Sequence, residues 1–213
     1  MKLFREDSPI MLFLSELGDH MLLNILFVIC SLPVVTVGCS LTASFKVAQL
    51  LADKSCDHVL PQFFRAFKEN FKQSTLLWCP AMLSYVLLVL YYGMSAGDAM
   101  PYMRVWLAGA FGICFLVTAL LCYAFPLISR YENSLSQHIK NAAILAVTNI
   151  PRTLLLMLLS IVPALMFVFL PGIFFYIFPL WLILLFSMLT RGCVGLIRPL
   201  FRKIECVSDD SDK

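Results

Sequence analysis

The chain has 213 residues, 61% of them hydrophobic and only 14% charged, with a formal net charge of +3 and a mean hydropathy of +0.87. An average soluble domain carries about 25% charged residues, and a water-facing fold of this length has no interior large enough for so much apolar surface. Asp, Glu, Lys, Arg and His are absent from four windows: Met21 to Phe45, Gln73 to Gly97, Val105 to Ser129 and Thr153 to Thr190.

Three of these windows are 25 residues long and the last is 38. An α-helix needs about 20 apolar residues to cross roughly 30 Å of hydrocarbon. The windows are too continuous for barrel strands, which alternate in segments of about 10 residues. In lipid each helix satisfies its own backbone amides. The expected fold is all-α: a polytopic transmembrane helical bundle, one domain over residues 1–204.

Along the chain, the first span is expected at about 21–41. Pro33 and Gly38 interrupt it, so a second reading has residues 9–32 entering as one helix and 38–52 returning as another. Lys2 and Arg5 resemble the basic start of a signal peptide, but Glu6, Asp7, Glu16 and Asp19 precede the apolar run and Pro33 lies within it. A retained segment is therefore expected.

Between the first two windows Leu60, Phe63, Phe64, Phe67 and Phe71 share one helical face, with Arg65, Lys68, Glu69 and Lys72 opposite. That pattern predicts an interfacial helix with its rings in the acyl boundary, or a docking helix for a cytoplasmic partner. Spans follow at about 75–93 and 105–126. Leu135, Ile139, Ala142, Ala143 and Ala146 make a second, milder apolar stripe. The 38-residue window is divided at Pro171-Gly172, a turn dipeptide, into spans at about 153–170 and 172–190. Residues 205–213 read as a disordered acidic tail.

Five spans place 13 of the 16 basic residues on one side. Lys and Arg near span ends are retained in the cytoplasm, so a cytoplasmic C-terminus and an external N-terminus are expected. Asn70-Phe71-Lys72 before Thr75-Leu76-Leu77 is echoed by Asn149-Ile150-Pro151-Arg152 before Thr153-Leu154-Leu155. An internal duplication of an interfacial helix plus hairpin accounts for this; so does coincidence among residues common in any membrane chain.

An ionisable residue at membrane depth is by default functional, and the windows hold none. The polar groups there, Asn24, Ser31, Thr36, Ser84, Thr118, Ser160 and Ser187, read as helix-packing groups. His20, His58 and His138 have no metal-ligand spacing. Six of the eight cysteines lie in or beside the spans, without a CxxC pattern, and read as small buried hydrophobes. No phosphate loop or catalytic motif occurs. Neither an enzyme, a cofactor, a metal nor a nucleic-acid partner is expected. Pro80, Pro163 and Pro179 bend predicted spans, and bent helices mark transporter sites as well as ordinary packing.

The break at Leu32-Pro33, Thr36 and Gly38 is one part of a longer signature. Asn70-Phe71-Lys72-Gln73, Tyr123 with Pro126, Arg130-Tyr131-Glu132-Asn133, and Asn141, Ala146, Asn149 and Thr153-Leu154 complete it. Together they resemble the YesL-like family of bacterial integral membrane proteins (DUF 624), over about residues 10 to 200. The resemblance implies a Gram-positive plasma membrane protein encoded near carbohydrate uptake systems, and no established catalytic or binding residue.

The candidate structural or partner-contact residues are Pro33, Thr36, Gly38 and Asn70, then Arg130, Tyr131, Asn133, Asn149 and Arg152. The expected partners are the lipid bilayer and a sugar-import membrane complex. Three functions remain open: an accessory or regulatory component of carbohydrate uptake, a small permease or transporter subunit, and a structural or lipid-interacting protein. An ATPase-coupled permease usually presents a Glu-Ala-Ala type loop, and Val47-Ala48-Gln49-Leu50-Leu51-Ala52-Asp53-Lys54 lacks its Glu and its Gly.

Overall fold

The computed structural model describes residues 9–95, 101–169, 172, 176 and 186–211. Among the described residues every element is helical: α1 (Pro9–Cys30), a 3-10 turn (Val34–Thr36), α2 (Val37–Ala52), α3 (Val59–Ser95), α4 (Pro101–Arg130), α5 (Leu135–Thr148), α6 (Ile150–Phe169) and α7 (Phe186–Ser211). Among the described residues three helices are long and apolar enough to cross a membrane, or four if the bent pair α5 and α6 counts as one span. The outward faces of α3 and α4, with Leu83, Leu87, Leu90, Trp106 and Leu116 more than half exposed, suit hydrocarbon rather than water.

The first window does not form the single span expected at 21–41. Pro33 supplies no amide hydrogen and forces the preceding residue out of helical geometry, so α1 ends at Cys30 and α2 begins at Val37. Thr36 stitches the break, its hydroxyl lying 2.6 Å from the Cys30 carbonyl and 2.7 Å from that of Pro33. Two contacts fix the path of this hairpin. Glu16 near the start of α1 meets Arg191 on α7, and Asp53 at the end of α2 meets Arg198 one to two turns further along the same helix. The chain thus enters α1 and leaves α2 at one end of the bundle, as in the hairpin reading of 9–32 and 38–52. A single crossing would have put those points at opposite ends, so the external N-terminus inferred from it loses its basis.

The Phe-rich segment is not a separate interfacial helix. It is the first part of α3, whose 37 residues span about 55 Å, well beyond the hydrocarbon thickness. The α1–α2 hairpin packs on the first half of α3, where Leu23, Leu26, Ala43, Val47, Ala48, Val59, Phe63, Ala66 and Val194 form one buried cluster. Phe63 is fully buried there, while Leu60, Phe64 and Phe71 stay exposed. The second half of α3 packs against α4. Leu77, Ala81, Leu121, Tyr123, Ala124, Phe125, Ala142, Leu156, Ile197 and Phe201 belong to this second cluster, shared with α5, α6 and α7.

α5 begins with a reciprocal cap: Gln137 N–H donates to Ser134 Oγ and Ser134 N–H donates to Gln137 Oε1. Losing such a cap costs about 1 kcal/mol. Ser134→Ala is expected to raise hydrogen exchange over residues 135–141 about fivefold, the equivalent of that energy in local opening; unchanged exchange would show that packing alone holds the turn. At Asn149 (φ −125, ψ 51) the helix breaks, and α6 leaves at 107° to α5. Pro151 fits at the start of α6, where its missing amide hydrogen has no intrahelical role.

The expected duplication pairs one continuous helix, α3, with a sharply bent pair, α5 and α6. Its two units therefore differ in the very joint that the sequence makes alike. Pro171 of the expected Pro171-Gly172 turn and most of the span at 172–190 lie outside the described residues. Residues 205–211, expected in a disordered tail, belong to α7, which runs to Ser211.

Candidate functional site

The chemistry-bearing groups collect at the end where α1 starts and α2 and α4 finish. His20, near the middle of α1 and just before the charge-free window, is fully buried. Its Nδ1 lies 2.6 Å from Ser187 Oγ and its Nε2 lies 3.0 Å from a guanidinium nitrogen of Arg191. Arg191 also reaches Glu16 at 3.3 Å. The ring thus lies between a hydroxyl and a cation, both on α7, with Glu16 of its own helix also within reach of that cation. Phe27 and Phe186 stack with ring centres 3.7 Å apart and extend the α1–α7 contact.

A second network ties the ends of α2 and α4 to the middle of α7. Pro126 inside α4 cannot donate a hydrogen bond, and its carbonyl accepts from Ser129 Oγ at 2.8 Å. Gln49 donates to Ser129 Oγ at 3.2 Å. Arg198 pairs with Asp53 and donates to the Ala52 carbonyl at 3.4 Å. Both ion pairs are partly exposed, so each contributes at most about 1 kcal/mol. The crevice between Gln49, Arg130, Ile197 and Phe201 is about 10 Å³, room for roughly one water.

The residues singled out by sequence fall into separate places. Pro33, Thr36 and Gly38 form the α1–α2 turn, where Trp78 Nε1 donates to the Val34 carbonyl at 2.8 Å. Among the described residues Asn70 bonds within its own helix, donating to Ala66 O at 3.0 Å. Arg130 sits 5.6 Å over the Phe201 ring, a cation–π geometry, and Tyr131 meets the same ring edge-on. Asn133 accepts from Gln73 through its carbonyl at 3.2 Å. Asn149 caps the end of α5, donating to Leu145 O and Thr148 Oγ1. Arg152 is partly buried at the start of α6. Arg130, Tyr131 and Asn133 thus belong to the closed end, while Pro33, Thr36 and Gly38 lie far along α2, about 20 Å from Asp53 by helical rise. They do not make one site. His20, Ser187 and Arg191 were missed as a group, because partners 167 and 171 residues apart leave no local pattern.

A cavity of about 410 Å³ lies between α2, α3, α4, α6 and α7. Leu41, Phe45, Leu121, Phe125, Leu159 and Leu189 make most of its wall. The hydroxyl protons on that wall are committed: Tyr85 bonds to Thr118, Thr118 to Cys114 O, Ser160 to Leu156 O and Thr190 to Phe186 O. Among the described residues no group of His, Cys, Asp or Glu is arranged to hold a metal ion.

Residues 20–93, about a third of the chain, match the family described as "Protein of unknown function, DUF624". The match agrees with the YesL-like resemblance and takes in Pro33, Thr36, Gly38 and Asn70; the motifs from Tyr123 onward lie beyond it. No curated protein and no solved structure matches the chain.

Proposed function

We propose that the chain is a non-enzymatic, multi-pass protein of a bacterial plasma membrane that serves as an accessory or regulatory component of a carbohydrate uptake complex, with its basic end in the cytoplasm. One observation carries the preference for an accessory role over a sugar permease: among the described residues the cavity wall is apolar and its hydroxyl protons are already used. A carbohydrate entering it would lose water from many hydroxyl groups and find only a few hydroxyl oxygens able to accept in return, at a cost of about 1–3 kcal/mol for each unmet group. The charged groups and their networks sit instead at the end of the bundle, where a partner can reach them. Lys46, Lys54, Arg65, Lys68 and Lys72 lie on α2, α3 and the loop between them, an arrangement that favours retention on the cytoplasmic side. The carbohydrate link rests on the family resemblance.

The cavity itself favours a second reading, a small permease for an apolar solute. Affinity purification of the tagged chain from native membranes separates the two. Enrichment of sugar-import permease or ATPase subunits, with slowed growth of a deletion strain on the matching carbohydrate, is the expected result. Solute uptake by proteoliposomes containing this chain alone, without such enrichment, would replace the accessory role with transport.

A further inference from the structure

We propose that His20 is a proton-responsive latch: its neutral ring ties α1 to α7, and protonation of the ring releases α1 from that contact. This inference is independent of the accessory role; either can fail while the other stands.

The donor and acceptor count fixes the resting state. A guanidinium has only donors, so Nε2 of His20, 3.0 Å from Arg191, must accept. The ring proton then resides on Nδ1 and is donated to Ser187 Oγ at 2.6 Å. A protonated imidazole has two N–H donors and no acceptor. It would turn a donor and a positive charge toward the Arg191 guanidinium, inside a site that leaves the ring no exposed surface. One hydrogen bond is lost and a like-charge contact is gained in the same step.

The charged groups acting on His20 are Arg191 from α7 and Glu16 and Asp19 from its own helix. The loop after α2 brings Cys56 and Asp57, with Asp19 acting on the Cys56 thiol. From α2 and α3 the groups packed on α1 one turn further along are apolar, Ala43 and Val47 with Val59 and Phe63. Glu16 is partly exposed and shared with Arg191, so its screening of the cation is incomplete. The latch also has something to move. α1 meets α7 through this polar cluster, the Phe27–Phe186 stack and the apolar cluster of Leu23 and Leu26 with Val194, and of these only the polar cluster changes on protonation; Arg191 lies at the same end as the Arg198–Asp53 pair that holds α7 to α2.

The sign follows from linkage. An opened α1 binds the proton at about the ordinary value of 6.5, and the closed form, whose buried Nε2 faces a guanidinium at 3.0 Å, binds it less well. The closed form is therefore fully favoured above about 6.5, and the advantage is lost as pH falls below it, at up to tenfold per pH unit.

Hydrogen exchange of the full chain in lipid nanodiscs, from pH 7.5 to 5.0 and corrected for intrinsic exchange rates, tests this directly. Opening of residues 9–30 should rise toward tenfold per pH unit below about 6.5 while the α3–α4 contact stays unchanged. His20→Gln, which keeps an acceptor and a donor but cannot protonate, should abolish the dependence. Arg191→Gln, which removes the cation that disfavours the protonated ring in the closed form, should leave the onset at about 6.5 but flatten the rise below it, a change in the pH profile that a purely structural ion pair would not produce. A pH-independent α1 in the parent protein, or a dependence that survives His20→Gln, overturns the latch. If the variants do not fold, histidine side-chain nitrogen NMR of the parent decides: a neutral His20 protonated on Nε2 rather than Nδ1 also overturns it.

Discussion

Phe63→Ala is expected to cost about 3–5 kcal/mol, the range for emptying a buried phenylalanine site, and to lower the unfolding midpoint of the detergent-purified protein accordingly. Phe63 is fully buried between α1, α2 and α3, whereas its neighbour Phe64 is 41% exposed. Phe64→Ala is expected to cost less than about 1 kcal/mol. The contrast matters because the sequence presents both rings on the same amphipathic stripe. If that stripe lay on a membrane surface, both truncations would weaken lipid attachment alike and leave the unfolding midpoint nearly unchanged. A large difference between two adjacent phenylalanines arises only if the α1–α2 hairpin covers one of them. Equal effects would remove that hairpin from its place on α3.

Gly38→Ala is expected to destabilise by about 2 kcal/mol through overpacking, read as a lowered midpoint in the same assay. A methyl group at Gly38 would stand 2.6 Å from Trp78 Cβ and 2.9 Å from the Ser74 carbonyl. Neither neighbour is the free end of a flexible side chain, so α2 and α3 must separate. That separation strains the Thr42–Ser74 hydroxyl pair at 2.7 Å and the Trp78–Val34 hydrogen bond on either side of the contact. Gly18 provides the control, since nothing lies within 4 Å of its added carbon. In the middle of α1 its replacement by Ala should stabilise by about 0.5–1 kcal/mol through helix propensity. A Gly38→Ala protein as stable as the parent would show that α2 and α3 are not this close.

These two positions also show what can be read from a sequence of this kind. Gly38 stands out because a glycine so near a proline break in an apolar run invites a close approach, yet nothing local says that Trp78 is what approaches. Phe63 shows the opposite case. Its periodicity was legible, but the same pattern serves a helix lying on lipid and a helix lying under protein, because both bury one apolar face. His20 was legible only as a polar residue beside a span. Its meaning depends on Ser187 and Arg191, which the fold brings from the far end of the chain.

The charge-free windows determined the helical class by themselves, since backbone amides in hydrocarbon have no other way to be satisfied, and Pro33 marked a break through the hydrogen it cannot donate. Such features are local and follow from composition and backbone chemistry. Tertiary structure decided the rest: that the break turns a hairpin, that α3 continues unbroken through the segment expected to lie flat while α5 and α6 bend by 107°, and that a buried histidine meets an arginine. Each of those outcomes depends on which apolar face covers which. Faces of equal hydrophobicity carry no label for their partner until shape and hydrogen-bond geometry select one.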